Sequence, residues 1–93
     1  MPTWTYQLIS DIPWSERTDP PHTSDTQSVG ERLIAEGNHT FSGPKVIDEY
    51  THEYVLTFPD EAAFEVWNQE IRINRTKEQR HNPGIRAEGY YTP

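Results

Sequence analysis

Ninety-three residues carrying 8 Lys and Arg against 15 Asp and Glu make one domain's worth of chain with a formal net charge of −7. That balance repels phosphate backbones and anionic membrane surfaces unless the few cations cluster, which excludes nucleic acid and membrane as default partners. The absence of cysteine removes disulfides, thiolate chemistry and cysteine-ligated zinc.

Only 32% of the residues are hydrophobic, and aromatics supply 12% of the chain, so a few large rings must carry much of the burial. Trp4, Tyr6, Phe41, Tyr54, Phe58, Phe64 and Trp67 are the core candidates. A domain of this size buries roughly 60–70% of its unfolded surface, and so thin a core leads to the expectation of a homodimer. No run of about 18 apolar residues is present to span a membrane. Met1 to Trp4 shows no basic region followed by an apolar run, so a cytoplasmic location is expected. Two glycosylation sequons, at Asn38 and Asn74, are read as chance matches.

Residues 3–9 alternate, with Trp4, Tyr6 and Leu8 on one face and Thr5 and Gln7 on the other, which predicts a half-buried strand. Residues 13–24 form a long polar loop with three prolines, in which Trp14 reads as an anchor to the core. Residues 25–36 read as a helix with the stripe Val29, Leu33 and Ile34. Ser28 and Glu31 match a capping box, Asp25 or Thr26 could cap one turn earlier, and Gly37-Asn38 is a stop. Residues 39–58 are strand-like, interrupted at Ser42-Gly43-Pro44. One continuous strand from Val46 to Phe58, or a hairpin near Asp48–Thr51, fits the alternation, and two strands are favoured. Residues 60–73 give the clearest helix, with Asp60 as cap and Ala63, Phe64, Val66, Trp67 and Ile71 on one side. Arg72, Arg75, Lys77 and Arg80 suit its C-terminal continuation, Asn82-Pro83-Gly84 ends it, and residues 85–91 are a last strand.

The order β-α-β-β-α-β is that of a ferredoxin-like α+β domain spanning residues 1–93, with an antiparallel sheet and both helices on one face. The other face needs a cover, and a second copy of the same sheet is the expected one. Charge is unevenly spread. Residues 46–70 hold seven acids and no Lys or Arg, whereas residues 71–93 hold five cations and two acids. The ordinary reading is solvated surface; the sharper one is an acidic face, Asp48, Glu49 and Glu53 with Trp14, that docks on a basic protein partner.

Signals for chemistry are sparse. His22, His39, His52 and His81 show no metal-ligand spacing, no glycine loop cradles a phosphate, and no G-x-S-x-G occurs, so neither metal nor cofactor is expected. His52 sits between Tyr50 and Tyr54 on an aromatic strand face and reads as a structural histidine. The segment Tyr54-Val55-Leu56-Thr57-Phe58-Pro59-Asp60-Glu61-Ala62-Ala63-Phe64-Glu65-Val66-Trp67 resembles the strand-to-helix junction of dimeric α/β-barrel proteins. The antibiotic-biosynthesis-monooxygenase-like group, with its small haem-degrading enzymes, is the part of that superfamily it resembles. The resemblance implies a homodimer with a pocket between sheet and helices. It matches Trp67 to a pocket tryptophan and makes His81 a loose candidate for a pocket histidine; the first strand carries Gln7 where that group has asparagine.

Two functional expectations follow. The first is a non-enzymatic, self-associating binding module that contacts another protein, as short acidic accessory proteins of phages and mobile elements do. The alternative is a small-molecule enzyme or binder of the dimeric-barrel type, in which His52, Tyr54 and Trp67 would line a site for a flat ligand and Trp67 and His81 would be the catalytic candidates.

Overall fold

The structure, a computed structural model, describes residues 1–18, 24–72, 80 and 82–93. Its elements are β1 (Thr3–Ser10), a short 3-10 turn (Trp14–Glu16), α1 (Ser24–Ala35), β2 (Thr40–Val46), β3 (Thr51–Thr57), α2 (Glu61–Arg72) and β4 (Ile85–Thr92). The four strands form one antiparallel sheet in the order β2-β3-β1-β4. This is the ferredoxin-like α+β arrangement that the element order implies. Positions 19–23, within the expected polar loop, and 73–79 and 81, which include Arg75 and Lys77 of the expected basic continuation of α2, lie outside the described residues. Among the described residues no helix is long and apolar enough to cross a membrane.

Period-two alternation sorts the strands into two faces. Trp4, Tyr6 and Leu8 pair across β1 and β3 with Leu56, Tyr54 and His52. Across β1 and β4 they pair with Tyr91, Gly89 and Ala87. This face meets both helices, because Leu33 of α1 and Phe64 and Trp67 of α2 join Leu56 and Phe58 in one buried cluster. Phe58 is fully buried and lies 5.4 Å from Phe64, edge to face, and 5.8 Å from Trp67. Trp4 lies 5.9 Å from Trp67, and Tyr91 4.3 Å from Phe64. Aromatic pairs at such spacings each add about 0.5–1.5 kcal/mol beyond burial, which suits a chain with few aliphatic residues. Gly89 leaves room for this packing: a Cβ there would lie 2.7 Å from the Trp4 ring.

Helix ends follow local chemistry. Asp60 accepts the Ala63 amide through Oδ1 at 2.8 Å, the expected cap of α2. At the end of α1, Gly37 has φ 80°, its amide donates to the Ile34 carbonyl, and the Asn38 amide donates to the Leu33 carbonyl. Those two bonds are a Schellman stop. The start of α1 differs from the capping-box expectation. The helix begins at Ser24, so Ser28 and Glu31 lie within it.

The predicted interruption at Ser42-Gly43-Pro44 is also corrected. These residues stay in β2, and the extra one is absorbed as a bulge between the Ser42–Val55 and Lys45–Glu53 pairs. Gly43 has φ 130°, and a Cβ would meet the Glu53 carbonyl oxygen at 2.8 Å, so only glycine fits. The two-strand reading holds, with the turn at Ile47–Tyr50. Asp48 replaces the missing Asn-Gly signal by accepting the Tyr50 amide through its own carboxylate at 2.8 Å.

Asn38, braced by His39, ties the end of the first helix to the second. The His39 Nδ1 lies 2.8 Å from Asn38 Oδ1, and Asn38 Nδ2 donates to the Ala63 carbonyl. Because the Asn38 amide nitrogen is turned to Ala63, its oxygen accepts, and the neutral His39 carries its proton on Nδ1. The ring is buried against Phe58, 5.4 Å away, and that burial lowers its pKa below the ordinary 6.5. The unfolded chain therefore binds this proton more readily, so stability is full above about pH 6.5 and declines as the pH falls toward the folded pKa. Thermal unfolding of the wild type and of His39→Phe from pH 7.5 to 5 checks this. The wild type should lose more of its midpoint on acidification than the variant; parallel curves would remove His39 as the cause.

Candidate functional site

The end of the sheet where β1 finishes and β3 begins is built around Trp14. Pro13 precedes the 3-10 turn, and the Trp14 amide donates to the Glu49 carbonyl at 2.9 Å. Its indole Nε1 donates to the Tyr50 carbonyl at 2.8 Å. The ring stacks on His52 at 4.7 Å and 14°, and the Arg17 guanidinium lies 5.8 Å from its centre on a cation–π contact. Arg17 also donates to Ser10 Oγ and pairs with Asp11 at 2.6 Å, its side chain only 14% exposed. Gly84 lies against that pair, since a Cβ there would meet Asp11 Oδ1 at 2.6 Å. Thus the loop after β1 is clamped to the β2–β3 turn by the amide and indole bonds of Trp14 and to β3 by the ring stack, while the Arg17–Asp11 ion pair braces the loop on itself. Trp14 is an anchor, but to the β2–β3 turn and His52 and not, as its sequence position suggests, to the core cluster.

The clamped turn presents an unusual mixture. Val46 is 66% exposed, Ile47 45%, Ile12 40% and Tyr50 39%. Around them Asp11, Glu16, Asp48 and Glu49 are all exposed. The cation nearest in sequence to Asp11 and Glu16, Arg17, is turned inward onto Asp11. Exposed apolar groups rimmed by unlike polar ones are a feature of contact surfaces. The structure brings Asp48, Glu49 and Trp14 together here. Glu53 lies farther along β3, paired with Gln7, on the sheet face away from the helices.

The residues proposed to line a small-molecule site are arranged differently. Trp67 is 7% exposed and enclosed by Trp4, Phe58 and Phe64. Tyr54 stacks between Tyr6 at 5.1 Å and Phe41 at 5.4 Å, and burial raises its phenol pKa above 10.0. His52 lies under Trp14. Each of the three is thus stacked on or enclosed by aromatic neighbours of its own. Gln7 projects from the opposite face, where it lines an open hollow of about 300 Å³ with Thr5, Glu88, Gly89 and Tyr90. His81 lies outside the described residues. Among the described residues no three His, Asp or Glu side chains are grouped to hold a metal ion.

Sequence reasoning overlooked Asp11, Ser10, Arg17 and Ile12. The only signal for them was the adjacency of Asp11 and Arg17 to Trp14 in a segment read as plain loop. Compared with protein-family models and with curated proteins, the chain matches none.

Replacing Trp14 by alanine removes the indole bond, the His52 stack and the Arg17 contact, about 1–3 kcal/mol in all. Amide hydrogen exchange at Ile47 and Thr51 should quicken in Trp14→Ala while far-UV circular dichroism stays unchanged. Unaltered protection at both amides would show that the turn holds itself.

Proposed function

We propose that this chain is a small, acidic, non-enzymatic binding module that self-associates and contacts another protein through the Trp14-clamped end of its sheet. The carrying observation is the β2–β3 turn: Asp48 and Glu49 stand exposed beside Val46, Ile47 and Tyr50, on a backbone fixed by bonds from Trp14. A fixed turn loses little conformational freedom on binding, and its apolar side chains supply buried area. The acids around them select a basic partner and speed its approach. Lys45 is the one cation within the span 46–53 and its two neighbours on either side, so little on the turn itself offsets that field.

The dimeric-barrel reading has less support, because Trp67 and Tyr54 are packed among aromatic neighbours and Gln7 stands on the other side of the sheet. A binding role asks only for the surface just described.

Affinity capture from source-cell lysate with the wild type and with Asp48→Lys/Glu49→Lys, quantified by mass spectrometry, tests the proposal. Proteins recovered by the wild type should be basic, fall by about tenfold or more with the reversed turn, and weaken between low and physiological salt. Recovery indifferent to both charge reversal and salt would refute the acidic turn as the contact.

A further inference from the structure

The two edges of the sheet are built differently. At one edge, β2 carries Gly43 and Pro44 and a bulge between Ser42 and Lys45. Proline offers no amide and a bulge breaks the ladder, and both are ordinary means of blunting an edge. At the other edge, β4 has no proline, and its register against β1 runs unshifted from Ile85 opposite Ser10 to Thr92 opposite Thr3. Among the described residues no further strand lies beyond it.

The alternation of the ladder fixes which groups face outward. The Ser10 amide donates to the Tyr50 carbonyl and the Pro2 carbonyl accepts from the Phe58 amide, so the even-numbered residues of β1 bond toward β3. The odd-numbered ones bond toward β4, where their partners are Arg86, Glu88, Tyr90 and Thr92. The amides and carbonyls of Ala87, Gly89 and Tyr91 therefore point away from the sheet. Ala87 and Gly89 are exposed, and neither has a side chain long enough to shield them. On the helix side of this edge stand Glu61 and Glu65, one turn apart on α2 and both exposed. Their charges reach Tyr91: burial first, and then these two carboxylates, raise its phenol above 10.0. Neither is ion-paired among the described residues, whereas Glu88 on the open face is held by Arg86 at 3.3 Å.

We propose that the outer edge of β4 receives an extended, basic segment of a partner protein, which joins the four-stranded sheet as one more antiparallel strand. This rests on the binding-module reading for its basic partner, but on neither the clamped turn nor self-association. In an antiparallel pair, the residues opposite Ala87, Gly89 and Tyr91 exchange both hydrogen bonds with them and turn their side chains to the same face. Those side chains enter beneath α2 beside Glu61 and Glu65, where lysine or arginine is matched. The residues between them lie on the open face, beside the already neutralised Glu88 and the Tyr90 ring, which is 61% exposed. A β-branched apolar side chain packs there. Main-chain bonds thus supply affinity, and alternate side chains supply the preference for basic sequence.

Peptides with blocked ends that alternate lysine and valine over the eight residues of β4 test this by titration into nitrogen-labelled protein. At up to about 1 mM, the weak end of measurable binding, the peptide should shift the Ala87, Gly89 and Tyr91 amides and slow their exchange. The same peptide with glutamate for lysine should not bind. Methylating the peptide nitrogens of the lysines, which bond to β4, should weaken binding at least about tenfold, and methylating those of the valines should leave it unchanged. Ala87→Pro removes one outward amide at a position where an edge strand accepts proline, so it should fold and lose binding by at least about tenfold. Should it fail to fold, the methylated peptides on the wild type decide alone. The Asp48→Lys/Glu49→Lys protein should bind the peptide as the wild type does, which separates this edge from the turn. A loss there equal to that of Ala87→Pro would put the peptide on the turn and overturn the proposal. Equal binding of the lysine and glutamate peptides, indifference to the place of the methyl groups, or no binding at about 1 mM would overturn it as well. So would protection of the three amides in the free protein that falls away on dilution, because a second copy would then occupy the edge.

Discussion

The architecture depends on Phe58. It is the first residue beyond β3, its amide donates to the Pro2 carbonyl, and its ring is wholly enclosed. From that position it meets Phe64 and Trp67 of α2, and His39 at the entry to β2. Leu33 brings α1 into the same cluster. A chain so poor in aliphatic residues has few other ways to hold two helices to a sheet. Because the rings gather on one side, the polar ranks of threonine, glutamate and glutamine are left on the other, and the two ends of the sheet are left to the loops.

Much of this was legible in the sequence, for identifiable reasons. Trp4, Tyr6 and Leu8 alternate with Thr5 and Gln7 because an antiparallel sheet with one covered face sorts side chains by parity, and parity can be read without coordinates. Asp60 was legible because a carboxylate just after a proline and before an apolar helix has one obvious set of amides to accept. The start of α1 was legible to within one residue, but its cap was not: Ser24 to Ser28 are polar throughout, so no apolar stripe marks the first turn, and the S-x-x-E match at Ser28 and Glu31 lies inside the helix. The bulge in β2 was hidden because Gly-Pro punctuates a turn and an edge-strand bulge alike.

The site was legible only in part. Asp48, Glu49 and Trp14 were recognisable as an acidic stretch and an isolated large ring, and the structure places them side by side. Their connection runs through main-chain carbonyls of Glu49 and Tyr50, which carry no sequence signature. Arg17 and Asp11 were invisible for the same reason: an ion pair matters here because of what lies beneath it, the Gly84 backbone and the Trp14 ring.

The dependence on the Phe58 cluster is most directly measured by urea unfolding of Phe58→Ala followed by far-UV circular dichroism. Removing a fully enclosed ring from a core of this kind costs about 3–5 kcal/mol. Since a domain of this length has about 5–14 kcal/mol in all, the variant should unfold at much lower urea or fail to fold in water. A loss below about 1 kcal/mol, within the range of ordinary surface changes, would show that the two helices are held to the sheet by something other than this ring.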